Sequence, residues 1–148
     1  MLISDVMTRD VDLIDPGTTL KQAASRMRDR DVGSLPVAEN DRLVGMVTDR
    51  DIVVKGVAEA RDAASTTARE VMSANVLYCF DDQSVEEVLA NMGDVQVRRL
   101  PVVDRDKKLV GIVSIGDLAK KGPAKKAGEA LKDISKPGLE PIRAAAPK

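Results

Sequence analysis

Two heptapeptides hold the residues with the most chemical content. Gly45-Met46-Val47-Thr48-Asp49-Arg50-Asp51 and Gly111-Ile112-Val113-Ser114-Ile115-Gly116-Asp117 each place a hydroxyl three residues before a carboxylate. A hydroxyl donates and accepts hydrogen bonds, whereas an ionised carboxylate only accepts. Ahead of a helix, this spacing is close to a capping box, in which the hydroxyl takes the third amide and the acid bonds back to the first. The same groups suit recognition of a polar ligand. The chain has no histidine and one cysteine, Cys79. Triads based on His and zinc sites built on His/Cys are therefore excluded, and no intrachain disulfide can form. No acid pair follows a proton-transfer pattern, so we expect neither an enzyme nor a metal site.

The elements that position these heptapeptides come from an internal duplication. Val6-Met7-Thr8 recurs as Val71-Met72-Ser73, and Leu35-Pro36-Val37 as Leu100-Pro101-Val102, both 65 positions later. Leu43-Val44-Gly45 recurs as Leu109-Val110-Gly111, 66 positions later, the extra residue falling in the preceding turn. Turns tolerate such insertions. Leu20, Ala23, Ala24 and Met27 share the spacing of Val85, Val88, Leu89 and Met92, the apolar stripe of an amphipathic helix. Thr19 and Ser84 precede the stripes as N-caps.

Each copy thus reads βαββα, an α/β (α+β) fold with pseudo-twofold symmetry. The first strands are expected near Val11–Ile14 and Val76–Phe80. A strand containing Leu-Pro-Val follows each helix, the proline suiting a strand start or an edge. A second helix begins at Thr48 and runs through Ala58, and its counterpart begins at Ser114. Residues 2–60 form the first repeat, 61–67 a linker and 68–121 the second repeat. Residues 122–148 are a basic tail, in which 124–134 suits a helix and the rest reads as flexible.

Composition narrows the partners. The net charge is −1, with +5 in residues 120–148 and −6 in residues 1–119. Tyr78 and Phe80 are the only aromatics, which argues against base-stacking platforms and makes nucleic acid an unpromising partner. The basic tail reads as a solubilising end. No apolar run reaches the ~20 residues of a membrane span. Met1–Asp5 lacks the features of a signal peptide. The cytoplasm is the expected location, without membrane contact.

Two such heptapeptides, each preceded by a Leu-Pro-Val strand, resemble a tandem pair of CBS domains, a Bateman module, over about residues 2–119. Val47–Gly56 and Gln96–Val102 resemble the stand-alone bacterial hypoxic-response type in particular. The resemblance implies a regulatory module that binds adenine nucleotides in clefts between the repeats: AMP, ADP or ATP as ligand, with no cofactor required. It assigns Asp51 and Asp117 to the ribose hydroxyls, and Thr48 and Ser114 to phosphate or ribose. A carboxylate can accept from both vicinal hydroxyls. Free helix amides would meet a phosphate, and Gly45 and Gly111 would admit close backbone approach. Arg50, Arg98 and Arg99 are possible phosphate contacts, each with the alternative of a solvated or ion-paired surface arginine. Thr8, Ser73, Pro36 and Pro101 are possible cleft-lining residues.

Cys79 aligns with Ile14, and Met7, Met27, Met72 and Met92 align in apolar pairs, so all five read as packing. With no effector domain fused, regulation would act in trans on an unknown protein. A homodimer formed through the helices is expected. The competing expectation is a structural, dimerising module with empty clefts.

Overall fold

The computed structural model describes residues 1–95, 98–122 and 124–135. Helix α1 spans Ile3–Val6 and α2 spans Leu20–Arg30. Strands β1, Ser34–Glu39, and β2, Arg42–Thr48, form an antiparallel pair. A short turn, α3 (Asp49–Asp51), leads into a π-helical segment, Ile52–Val57. The second copy repeats the plan with α4 (Ala68–Val71), β3 (Cys79–Phe80), α5 (Val85–Val95), β4 (Arg99–Val103), β5 (Leu109–Ser114) and α6 (Ile115–Lys121). Helix α7, Ala124–Ile134, closes the described chain, as the expected tail helix. The flexible remainder expected for the tail lies outside the described residues.

The two copies exchange their leading segments. One core joins Ile3, Val6 and Met7 of the first copy to Val88, Leu89, Met92, Leu100 and Leu118 of the second. The other joins Ala68 and Val71 of the second copy to Leu20, Met27, Leu35, Val37 and Val47 of the first. The exchange is symmetric down to single backbone bonds. Ile3 N–H donates to Gln83 O at 2.9 Å, and Ala68 N–H donates to Thr18 O at 2.7 Å. Val85 N–H donates to Met1 O, and Leu20 N–H to Thr66 O, at 3.0 and 2.9 Å. Neither copy completes a core alone. Each fully buried Val, Leu or Ile in these clusters contributes about 1.5–3 kcal/mol of transfer free energy, so separating the copies would forfeit several such terms.

The exchange also explains the glycines. Thr8 bridges Ile112 on β5, and Ser73 bridges Met46 on β2. A Cβ on Gly111 would stand 2.6 Å from Met7 Sδ and 2.9 Å from Thr8 O, and one on Gly45 would stand 2.5 Å from Met72 Sδ. These glycines admit the other copy's Val-Met segment, not a ligand, which corrects the expectation from the resemblance.

Three further expectations change. Val11–Ile14 is not a strand: within it only Ile14 makes a bridge, to Val37, and Val11 N–H turns back onto Arg9 O at 3.0 Å. The expected strand at Val76–Phe80 shrinks to Cys79–Phe80. Pro36 and Pro101 sit inside β1 and β4, not at strand starts. They face Met46 and Ile112, whose N–H and C=O groups bond outward to Ser73 and Thr8. No proline N–H is needed there, so the ladder loses nothing. Beyond Thr48 the helix widens into π geometry, with Ala58 N–H donating to Val53 O at 2.8 Å and Gly56 against Leu20.

Candidate functional site

Thr19 and Ser84 cap their helices as expected, each hydroxyl accepting from an amide at 3.1 Å. The heptapeptides also form capping boxes, and in both copies. Thr48 Oγ1 accepts from Asp51 N–H at 3.0 Å, and Asp51 Oδ2 accepts from Thr48 N–H at 2.9 Å. Ser114 Oγ accepts from Asp117 N–H at 3.1 Å, and Asp117 Oδ2 accepts from Ser114 N–H at 3.3 Å. A cap of this kind stabilises by about 1 kcal/mol. The next amides are also occupied: Asp49 N–H donates to Gly33 O and Ile115 N–H to Arg98 O, each at 2.9 Å. Arg50 N–H bonds Asp49 Oδ1 at 2.8 Å. The expected supply of free helix amides for a phosphate is therefore largely consumed internally.

The two boxes differ in surroundings. A cleft of about 310 Å³ opens between the repeats. Its walls bring together Thr8, Pro36, Arg99, Ser114 and Asp117, five of the residues singled out in the sequence. The exchange of leading segments creates this convergence. Thr8 reaches Ile112 beside Ser114, and Arg99 pairs across the sheet with Ser114 itself. Asp117 is half-buried, with one carboxylate oxygen committed to the cap.

Thr48, Asp51, Ser73, Pro101, Arg50 and Arg98 do not line this cleft. Asp51 Oδ1 lies 3.3 Å from Lys55 Nζ, and the same ammonium donates to Val71 O at 3.2 Å. Arg50 and Arg98 are exposed. Ser73 is occupied in the backbone bridge to Met46, and Pro101 is buried in β4.

Sequence reasoning missed four polar residues of the cleft: Asp10, Asp12, Arg30 and Ser34. Asp12 Oδ1 accepts from Arg26 Nη1 at 2.9 Å. Its Oδ2 faces Arg30 Nε at 3.5 Å, an ion-pair distance without hydrogen-bond geometry, and is buried without a hydrogen bond. A signal was available. Asp10, Asp12, Arg26 and Arg30 stand where the second copy has Asn75, Leu77, Asn91 and Val95. Charge present in one copy and absent from the other marks a place the shared fold does not require.

Cys79 is buried, and desolvation, aided by the nearby Asp81 charge, pushes its thiol pKa up to about 12. It belongs to the core and faces no cleft chemistry. Among the described residues no group of three or more His, Cys, Asp or Glu side chains is placed to hold a metal ion. No described helix is long and apolar enough to cross a membrane.

A duplicated unit with exchanged leading segments and a cleft between the copies defines a paired-repeat fold. The CBS domain family matches residues 3–57 and 68–123, and the chain belongs to that family. Hypoxic response protein 1 of Mycobacterium tuberculosis is 40% identical over 134 residues, covering 90% of this chain and 93% of that protein. The crystal structure of Hypoxic Response Protein I with two coordinated zinc ions superposes with a TM-score of 0.73 over 82% of this chain and 98% of that one. CBSX2 in complex with AMP is 26% identical, with a TM-score of 0.70 over 81% of this chain and 94% of that one. The CBS domain pair of protein MJ0100, in complex with 5-methylthioadenosine and S-adenosyl-L-methionine, is also 26% identical, with a TM-score of 0.70 over 82% of this chain and 94% of that one.

Proposed function

We propose that this chain is a non-catalytic regulatory module that binds an adenosine nucleotide in the cleft bounded by Ser114 and Asp117. The observation that carries the reading is the convergence of Thr8, Arg99, Ser114 and Asp117, drawn from both repeats, on one cleft of about 310 Å³. Asp117 keeps one carboxylate oxygen outside the capping box, able to accept from ribose hydroxyls. Arg99 supplies a guanidinium for phosphate. Relatives of the same fold hold AMP, methylthioadenosine and S-adenosylmethionine, which supports an adenosine compound here, with AMP, ADP and ATP as the candidates. Because the cleft is built from both repeats, an occupant would brace one repeat against the other. A cytoplasmic target regulated in trans would sense that change.

Two copies of the chain are proposed to pair through the helical face of the first repeat. In the second repeat, α7 packs against α5 and α6 and covers the corresponding face. In the first, Val53, Val54 and Val57 are left exposed.

One observation favours a second reading. Both hydroxyl–carboxylate pairs are already satisfied as capping boxes, as they would be in a purely structural module with empty clefts. A thermal-shift panel of AMP, ADP, ATP, S-adenosylmethionine and NAD separates the two. A ligand at tenfold over its dissociation constant stabilises by about 1.4 kcal/mol. If no adenosine compound raises the melting temperature, the structural reading stands and the sensing reading falls.

A further inference from the structure

We infer that the cleft selects an adenosine ligand carrying a single phosphate and discriminates against di- and triphosphates. This rests on the proposed nucleotide site and adds the charge of its ligand. The charged side chains lining the cleft are Asp10, Asp12, Asp117, Arg30 and Arg99. The charge of Arg30 is offset by Asp12, 3.5 Å from its Nε, which also holds Arg26 at 2.9 Å. That leaves Arg99, which among the described residues makes no ion pair and is exposed. One guanidinium can grip one phosphate in bidentate fashion.

A second and a third phosphate would each bring further negative charge into a cleft where the carboxylates of Asp10 and Asp117 make no ion pair among the described residues. The backbone offers one amide at this helix start, that of Gly116, since those of Ser114, Ile115 and Asp117 are engaged within the protein. Like charges brought together in a partly dry site raise each other's free energy steeply. Size argues in the same direction. At about 310 Å³ the cleft stands at the small end of the roughly 300–1,000 Å³ typical of small-molecule sites. Asp117 has its counterpart in Asp51, but the rest of the charge pattern is not shared: Asn75, Leu77, Val95 and Ser34 stand where this cleft has Asp10, Asp12, Arg30 and Arg99. The selectivity is thus a property of one cleft.

The test is isothermal titration of the full chain with adenosine, AMP, ADP and ATP in EDTA, repeated with Arg99→Ala and Asp10→Asn. Both substitutions are at exposed side chains. AMP is expected to bind at least tenfold more tightly than ATP. Arg99→Ala should weaken AMP at least fivefold and leave adenosine within twofold. Asp10→Asn should narrow the gap between AMP and ATP. ATP binding as tightly as AMP, or more tightly, would overturn the selectivity while leaving the nucleotide site standing. An Arg99→Ala variant that binds AMP like the parent would do the same. Failure of all four compounds to bind would remove the site and the selectivity together.

Discussion

Lys55 Nζ stands 3.3 Å from Asp51 Oδ1, one turn along the same helix, while Asp117, the duplicated counterpart of Asp51, has no such partner among the described residues. Lys121 occupies the position equivalent to Lys55 but is exposed and makes no ion pair among the described residues. In one copy the second carboxylate oxygen is claimed by an ammonium that is itself anchored on Val71 O. In the other copy it is left to the cleft. The pair is worth little to stability, since the lysine is about half exposed and such ion pairs contribute about 0–1 kcal/mol. Its effect is on availability.

The two aspartates should therefore separate in function and agree in stability. Asp51→Ala and Asp117→Ala each remove one half of a capping box and should each cost about 1 kcal/mol in urea unfolding. Only Asp117→Ala should weaken nucleotide binding, by tenfold or more, with Asp51→Ala within about twofold of the parent. Titration calorimetry beside the unfolding curves reads both.

Gly111→Ala should destabilise by about 1–3 kcal/mol, the range for forcing an added carbon into a packed site. Its Cβ would overlap Met7 Sδ and the carbonyl of Thr8. Met7→Ala removes the sulfur but not the carbonyl, so the double variant should recover part of the loss. A double-mutant cycle in urea measures that coupling. Additive effects would mean that the leading segment does not press on β5 as described.

Cys79 should resist thiol reagents in the folded protein and react once it unfolds. A thiol pushed up to about 12 presents almost no thiolate at neutral pH, and burial blocks access. The sign of the linkage follows. The folded state holds the proton more tightly than the unfolded state, so its contribution is fully present below the ordinary thiol pKa. It is lost progressively as pH rises from about 9 toward 12. Reaction with a chromogenic disulfide, followed against urea, should track global unfolding.

Acid should also loosen the fold, with the opposite sign. Hydrogen bonds from Thr67 hold Glu70 below its ordinary pKa, and the Arg105 guanidinium does the same for Asp82. Their contributions are present above the ordinary carboxylate range and fall away as pH drops through it. Melting temperature should decline from pH 5 to pH 3, and less steeply in Glu70→Gln.

Pairing of two copies through the first repeat predicts that Val57→Asp yields a monomer by light scattering with the circular dichroism of the parent, because the side chain is exposed and a surface charge costs a monomer little.

Much of this architecture was legible in the sequence, for a physical reason. Duplication doubles every signal, so the stripes of Leu20–Met27 and Val85–Met92, the caps at Thr19 and Ser84 and the Leu-Pro-Val strands could each be checked against a copy. The exchange of Val6-Met7-Thr8 and Val71-Met72-Ser73 was not legible, because the segments fit either copy equally well and only three-dimensional closure decides. The glycines were misassigned for the same cause. Pro101 in a central strand required knowing that Ile112 bonds outward. The cleft was half legible: Ser114, Asp117, Thr8, Pro36 and Arg99 followed from the repeated motif and its neighbours. Asp10, Asp12 and Arg30 stood out only as charges that their counterparts Asn75, Leu77 and Val95 lack, and Ser34 carried no signal of its own.

The most direct test of the central claim is an amide-resolved NMR titration of the full chain with AMP. Saturable shifts are expected at Thr8, Ser34 and Ser114–Asp117, with Thr48–Asp51 unmoved, and a stoichiometry of one nucleotide per chain. Equal perturbation of Thr48–Asp51, or no saturable shift at either heptapeptide, would contradict that claim.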